Sequence, residues 1–184
     1  GIASRGLGDV YKRQVCKRAA GSALLKEPEL VNKILISVVD AVEVPVTLKI
    51  RTGWDKTTIN ATQIAKIAEN AGISALAIHC RTRACRFVGE VEYETIARVA
   101  ESISIPVFAN GDIDSPKKAK DVIEKTGATA VMIGRSALGK PWIFDQINEY
   151  LSHGTLYRQP SKEEIQKIVM THLKSIHKFY GEST

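Results

Sequence analysis

The chain of 184 residues is 44% hydrophobic, 25% charged and 6% aromatic, which suits one soluble domain or one and a half. No apolar run approaches the roughly 18 residues of a membrane helix, and the opening residues lack the apolar core of a signal peptide. Three cysteines are too few for a secreted disulfide scaffold. These features predict a cytoplasmic protein without a membrane segment.

The charge balance is basic, with 26 Lys and Arg against 20 Asp and Glu and a formal net charge of +6. Such a balance is compatible with nucleic acid or another polyanionic partner. Many basic proteins bind no nucleic acid, so charge alone favours this class of partner only modestly.

Four short apolar runs predict buried parallel strands. They are Val44–Ile50, Ser74–His79, Ile105–Asn110 and Thr129–Gly134. Runs that are apolar on both faces suit a sheet covered by helices on each side. The step from strand to strand is about 25–30 residues, which is the size of a βα unit.

Amphipathic segments between these runs predict helices. Pro28 begins the first, Gly72 closes the second, and the fourth has Ser115 as N-cap, Pro116 at its first position and Gly127 at its end. The alternation predicts an α/β fold, either a doubly wound sheet or a (β/α)8 barrel. No G-x-G-x-x-G follows the first strand, which weakens a dinucleotide-binding interpretation.

After the fourth strand the pattern changes. Residues Ala137–Leu151 are predicted to be helical, and a polar linker follows them. Ser161 and Glu164 then have the spacing of a capping box and open another amphipathic helix. This part of the chain is predicted to begin a small helical domain.

Every predicted strand ends in polar residues or glycine. The four ends are Lys49-Ile50-Arg51, His79-Cys80-Arg81, Asn110-Gly111-Asp112 and Gly134-Arg135. The carboxyl edge of a parallel sheet is where ligands bind in α/β folds. Lys49 is either structural or a fixed cation beside an anionic ligand, and the second is favoured because lysine is rarely buried without a partner. His79 alone fits a structural or a functional role equally well.

The last two strand ends predict a phosphate site. Glycine lets a ligand approach the backbone, and arginine binds phosphate with a bidentate fork. In (β/α)8 barrels such a site commonly forms after strands 7 and 8, so the chain would carry the second half of a barrel. The alternative is that Gly111 is a turn residue and Arg135 a solvated surface charge.

The residues around the carboxyl edge of the sheet, which we call the rim, are predicted to be positively charged. The cationic residues are Lys49, Arg51, Arg81, Arg83 and Arg86. RNA phosphates suit such a rim, and so does a phosphorylated metabolite. Candidates for base stacking are Trp54, Phe87, Tyr93 and Trp142, of which Trp142 also fits core packing on its helix. Cys80 and Cys85 lack the partner ligands of a zinc site, so no metal is predicted.

Five segments resemble the bacterial tRNA-dihydrouridine synthases of the DusB type, from about Val15 to the C-terminus. They are AGSALL (20–25), VPVTLKIRTGW (44–54), IHCRTR (78–83), IPVFANGDI (105–113) and VMIGRSALGKPWIF (131–144). The segments occur in order and with family-like spacing.

The resemblance implies an FMN-dependent (β/α)8 barrel followed by a small helical domain. Such an enzyme reduces the C5–C6 double bond of uridine in tRNA, with NADPH as the reductant of the flavin. Lys49 and His79 would contact the flavin ring. The ribityl phosphate would be held by Asn110, Gly111, Asp112, Gly134 and Arg135. Candidates for tRNA contacts are Arg51, Arg81 and Arg83, and no obligate protein partner is evident.

Two departures from the family pattern concern the beginning of the chain. The family's general-acid cysteine and the proline after it fall at Val10 and Tyr11, and Cys16 lies too late to replace that acid. The first four barrel strands have no counterpart. We therefore expect a non-native leader at 1–14, a flavin-binding half barrel at 15–151, and a linker with a helical domain segment at 152–184. This fragment, without a catalytic residue, is expected to be inactive alone.

Two other functions fit the residues. One is a non-flavin barrel enzyme acting on a phosphorylated metabolite, with Lys49 as a Schiff-base nucleophile. The other is a basic RNA-binding remnant that has lost its chemistry, which predicts salt-dependent tRNA binding without flavin.

Overall fold

The computed structural model describes residues 20–86, 91–156 and 158–181. The leader predicted at 1–14, with Val10 and Tyr11, lies outside these residues, and so do Cys16 and Phe87.

Four strands form one parallel sheet in the order of the chain. They are β1 (Thr47–Arg51), β2 (Ala75–His79), β3 (Val107–Asn110) and β4 (Ala130–Met132). Each strand neighbours the next one along the chain and runs in the same direction. This is the arrangement of successive βα units in a (β/α)8 barrel, and it confirms the predicted α/β class with part of a barrel.

Six α-helices accompany the strands in the described residues. They are α1 (Pro28–Asp40), α2 (Ala61–Asn70), α3 (Glu94–Ser102), α4 (Pro116–Thr126), α5 (Ile143–His153) and α6 (Lys162–Tyr180). Short 3-10 helices span Gly21–Lys26 and Arg135–Ala137. No described helix is both long enough and apolar enough to cross a membrane.

Local sequence signals set the ends of several helices. The Ser115 hydroxyl accepts from the Lys118 N–H at 3.4 Å, Pro116 occupies the first turn, and Gly127 ends α4 with φ +64°. The predicted capping box of α6 is also present, with Ser161 and Glu164 bonded to each other's backbone N–H. These four predictions are confirmed.

The core lies between the sheet and its helices. All five residues of β2 are buried, and Leu76 and Ile78 have no exposed surface. Ile64 of α2 and Ile96 of α3 are buried in the same cluster. Each of these side chains contributes about 1.5–3 kcal/mol by leaving water, so β2 is the best-anchored strand of the site's framework.

Some predicted boundaries are wrong, each for a local reason. β3 begins at Val107 rather than Ile105, since Pro106 has no N–H for the ladder. β4 ends at Met132 because Gly134, with φ −115° and ψ −108°, leaves the extended region. The helix predicted from Ala137 begins only at Ile143, after a left-handed Gly139 with φ +71° and the turn that contains Pro141.

Candidate functional site

An open cavity of about 620 Å³ lies at the carboxyl edge of the sheet. All seven predicted cofactor residues line it: Lys49, His79, Asn110, Gly111, Asp112, Gly134 and Arg135. Arg51 lines it as well. The structure thus brings together residues that are up to 86 positions apart in the chain, and we call this cavity the cleft.

Strand register explains the convergence. Arg51 is paired with His79, His79 with Asn110, and Asn110 with Met132. These residues form one row across the sheet, at the points where the strands end. The loops that follow them therefore open on the same side.

Asn110 links three strands across the floor of the cleft. Its Oδ1 accepts from Lys49 Nζ at 3.2 Å, and its Nδ2 donates to the Met132 carbonyl at 2.7 Å. Burial, and then the charge of Arg51, lower the pKa of Lys49 below its usual value. The amide of Asn110 gives the Lys49 ammonium a hydrogen-bond partner at the floor of the cleft.

His79 is 8% exposed and surrounded by cationic groups. Burial lowers its pKa to about 4, and the charges of Arg51 and Lys49 act in the same direction. The imidazole is consequently neutral at physiological pH. It can donate and accept hydrogen bonds to a ligand without adding a positive charge.

The turn after β3 is held by two packing partners. Gly111 has φ +133°, and a Cβ on it would collide with the Sγ of buried Cys80. The Tyr93 hydroxyl donates to the Gly111 carbonyl at 2.7 Å. Glycine at this position is therefore required by the protein's own packing and backbone conformation, whether or not a ligand approaches. Burial raises the pKa of the Cys80 thiol to about 11, which keeps it protonated.

The Asp112 carboxylate accepts from two arginines. Its Oδ2 is 2.6 Å from Arg81 Nη2, and its Oδ1 is 2.7 Å from Arg135 Nη2. The Arg81 side chain is 4% exposed and that of Arg135 is 57% exposed. The hydrogen bond from Arg81 is the main cause that lowers the pKa of Asp112, so the carboxylate is ionised at neutral pH.

Two of the three candidate tRNA arginines are engaged inside the protein. Arg51 donates to the carbonyls of Thr82 and Arg86 at 2.9 and 2.8 Å, which holds the turn after β2. Arg81 is the buried partner of Asp112. Neither Arg81 nor Arg83 is among the residues that line the cleft.

Arg83 lies instead beside Trp54, on the rim. Its guanidinium is 4.6 Å from the centre of the Trp54 ring, and Lys26 Nζ is 4.0 Å from it. Both distances are within the range of a cation–π contact. The two backbones are also joined, since Arg83 N–H donates to the Gly53 carbonyl at 2.9 Å.

Sequence reasoning missed several contributors to the site. Tyr93 supports Gly111 from the start of α3, and nothing in its local sequence indicates this role. Asp114 and Ser136 line the cleft, and their positions directly after two predicted strand ends were the available signal. Within the described residues, no group of three or more His, Cys, Asp or Glu side chains is arranged to hold a metal ion.

Comparison with known proteins gives the family. Residues 12–184 match the family described as Dihydrouridine synthase (Dus). The chain is 56% identical over 170 residues to "tRNA-dihydrouridine synthase B" of Vibrio vulnificus, covering 92% of this chain and 53% of that protein. It is 57% identical over 170 residues to the protein of the same name from Pseudomonas aeruginosa, with 92% and 51% covered. The chain belongs to the dihydrouridine synthase family.

The chain spans about half the length of the curated relatives that it matches. Among solved structures, it is similar to the "Amycolatopsis orientalis BexX/CysO complex", with a TM-score of 0.45 and 16% sequence identity. That likeness covers 73% of this chain and 55% of the other.

Proposed function

We propose that the cleft binds FMN and that the complete enzyme reduces uridine to 5,6-dihydrouridine in tRNA, in the cytoplasm and with NADPH as reductant. The observation that carries the proposal is the convergence of Lys49, His79, Asn110 and Arg135 on one cleft. They do so in a chain whose relatives, at 56% identity, are named tRNA-dihydrouridine synthase B. In this proposal residues 15–151 belong to the barrel and 152–184 to a linker and a helical domain.

The chemistry of the donor set fits FMN. The cofactor has an anionic phosphate at one end and a ring rich in carbonyl and imine acceptors at the other. The cleft offers an exposed guanidinium at Arg135 and a fixed ammonium at Lys49. Between them lie a neutral imidazole and an amide, which recognise polar groups without charge. The cleft therefore offers a cation for the phosphate end of the cofactor and hydrogen-bonding groups for its ring end.

Each residue has a separate task in this proposal. Arg135 binds the phosphate together with the backbone of Gly134. No protein atom lies within 4 Å of the position that a Cβ would take on Gly134, so the phosphate has room to approach there. Lys49 stands at the ring and stabilises negative charge on it. His79 donates a hydrogen bond to the ring, and Asn110 orients Lys49. When bound and reduced by NADPH, FMN would supply the hydride that reduces the uracil ring.

The rim beside Trp54 is the best candidate for a tRNA contact. Lys26 and Arg83 place two cations against the Trp54 ring. Cationic side chains next to an aromatic ring suit a phosphate backbone with unstacked bases. We assign Arg51 and Arg81 to the internal architecture of the rim, because Arg51 donates to the carbonyls of Thr82 and Arg86 and Arg81 donates to Asp112.

The family's proton donor is the part that this sequence does not supply. Val10 occupies the position of the acid and Tyr11 that of the proline, as the resemblance implies, and a valine side chain has no ionisable proton to give to a uracil carbon. We therefore propose that the 184-residue chain forms no dihydrouridine by itself.

A Schiff-base enzyme is the competing chemistry. The lowered pKa of Lys49 is what such a nucleophile needs. The family match favours the flavin enzyme. The visible absorption of bound oxidised flavin separates the two, because a Schiff-base barrel has none, and salt-dependent tRNA binding without flavin would favour the RNA-binding remnant.

The test is a chimera in which residues 20–184 replace the aligned part of the Vibrio vulnificus relative. We expect the purified chimera to carry flavin and to form dihydrouridine in tRNA from a strain that lacks its own synthases. Lys49→Met in the chimera should abolish most of this activity, while Lys66→Met, on the exposed surface of α2, should leave it unchanged. A colourless and inactive chimera that remains folded by circular dichroism would refute the proposal.

A further inference from the structure

An anionic side chain lies in a cleft proposed to bind an anion. Asp112 lines the cleft together with Lys49 and Arg135. An ionised carboxylate has only acceptor atoms, so it cannot donate to a phosphate and repels it instead. A direct role of this side chain in holding the phosphate is therefore chemically unfavourable.

The carboxylate has another use, which its two partners define. One oxygen is bonded to Arg81, whose side chain is 4% exposed, and the other oxygen to Arg135, which is 57% exposed. Arg81 follows β2 and Arg135 follows β4, so Asp112 connects the two loops on either side of its own. The buried arginine fixes the carboxylate, and the carboxylate fixes the exposed arginine.

The turn that holds Asp112 is itself rigid. Asp112 has φ +47°, and Gly111 before it has φ +133°. Non-glycine residues adopt the left-handed region rarely and persist there when their surroundings determine it. Here Tyr93 bonds the Gly111 carbonyl, and the Cys80 Sγ fills the position that a Cβ on Gly111 would take. The carboxylate thus starts from a fixed backbone.

We infer that Asp112 is a positioning residue, whose carboxylate holds the Arg135 guanidinium at the edge of the cleft in the orientation that binds the cofactor's phosphate. A long arginine side chain loses conformational freedom when it binds a ligand, and a partner that orders it beforehand reduces this loss. A guanidinium has five N–H donors in a planar fork, so one edge of it can bind a carboxylate while another edge faces a phosphate. The inference rests on the proposed function.

The inference predicts that removing the negative charge of Asp112 weakens FMN binding, whereas electrostatic repulsion alone predicts that it strengthens binding. Removing a negative charge beside an anion site strengthens anion binding by Coulomb's law. Removing the group that orders Arg135 weakens it. Asp112→Asn keeps the shape of the side chain, so the sign of its effect decides between the two.

FMN and riboflavin are the probes, because they differ only in the phosphate. We would titrate each into the full 184-residue chain and follow the quenching of flavin fluorescence. Asp112→Asn is expected to weaken FMN binding about tenfold, the usual size for a charge-assisted bond, and to leave riboflavin binding unchanged. A merely structural role would weaken both ligands equally.

Two further variants keep the result interpretable. Asp121→Asn removes the same charge from an exposed position on α4, outside the lining of the cleft, and it should leave FMN binding unchanged. Arg135→Ala alters a mostly exposed side chain and should lower the preference for FMN to the same extent. In the Arg135→Ala background, Asp112→Asn should have no further effect on that preference.

The outcomes distinguish a failure of the proposed FMN site from a failure of the proposed role of Asp112. If the unaltered chain binds FMN no better than riboflavin, the phosphate site of the proposed function fails, and the inference with it. If the chain prefers FMN and Asp112→Asn keeps or increases that preference, the inference alone is overturned. An equal loss for both flavins, or an additive effect in the double variant, also overturns it.

Discussion

The cleft and helix α6 are ordered by different kinds of contact. The bonds in the cleft join residues distant in the chain: Lys49 to Asn110, Arg81 to Asp112, Asp112 to Arg135. α6 depends on neighbours, with Ser161 and Glu164 in a capping box and Arg158 bonded to Glu164 at 2.6 and 2.7 Å. None of the described residues of α6 is buried. The order of one region therefore requires the whole fold, whereas that of the other requires only its own sequence.

Gly111→Ala should affect the cleft most. The new methyl group collides with the Cys80 Sγ, and the residue must also keep a φ of +133°. Overpacking and backbone strain together should lower the free energy of unfolding by about 4 kcal/mol, as measured by urea denaturation. Gly154→Ala is the matched control, since Gly154 also has a positive φ of +71° but nothing lies within 4 Å of its methyl position, and it should lower the value by only about 1 kcal/mol. Equal losses in the two variants would contradict this account of the turn.

Truncating apolar side chains tests the comparison directly. Ile78→Ala removes a side chain with no exposed surface from β2 and should lower the free energy of unfolding by about 3 kcal/mol. Leu173→Ala in α6 removes one that is 44% exposed, and it should cost less than about 0.5 kcal/mol in the same experiment. A large loss at Leu173 would show that α6 is packed against something that these contacts do not include.

Acid should destabilise the cleft through His79. Its pKa is about 4 in the folded chain against an ordinary 6.5. As pH falls from 6.5 to 4, the unfolded chain takes up a proton that the folded chain does not, so stability decreases and then levels off. A loss of about 3 kcal/mol is expected across this window, and His79→Gln should remove that part of the slope. Unfolding curves at several pH values measure it, and an unchanged slope in the variant would exclude His79 as the cause.

The smallest effect belongs to the cap of α6. Ser161→Ala deletes the acceptor for the Glu164 N–H and should reduce the stability of the helix by about 1 kcal/mol. Hydrogen exchange of the first-turn amides measures this loss. Exchange in β2 should be unaffected, because α6 has no buried residue that could transmit the change. Faster exchange in both elements would link the two regions.

The sequence was sufficient to predict structural features that depend on residues close together in the chain or on the spacing of apolar residues. The four strands, the Ser115 cap and the Gly127 stop of α4 and the capping box of α6 are in this category. It also predicted that the strand ends would meet, because parallel strands align their carboxyl ends. It did not predict which of these residues would contact each other.

The pairings in the cleft required the structure. Asp112 and Arg135 were both predicted as phosphate ligands, and their bond to each other depends on turns 23 residues apart. Gly111 was predicted to admit a ligand, and its contact with Cys80 depends on a neighbouring strand. Pattern analysis shows which residues share an edge, while side-chain direction is set by backbone angles such as the φ of +47° at Asp112.

The side chain of Asn110 links strands of the cleft through hydrogen bonds that do not depend on its own ionisation. It accepts from Lys49 on one side and donates to the Met132 carbonyl on the other, and an amide does not titrate. Acidification protonates His79, whereas these two hydrogen bonds are made by an amide that stays uncharged. The protein can thus change the electrostatic potential of its cleft while keeping these links between its strands.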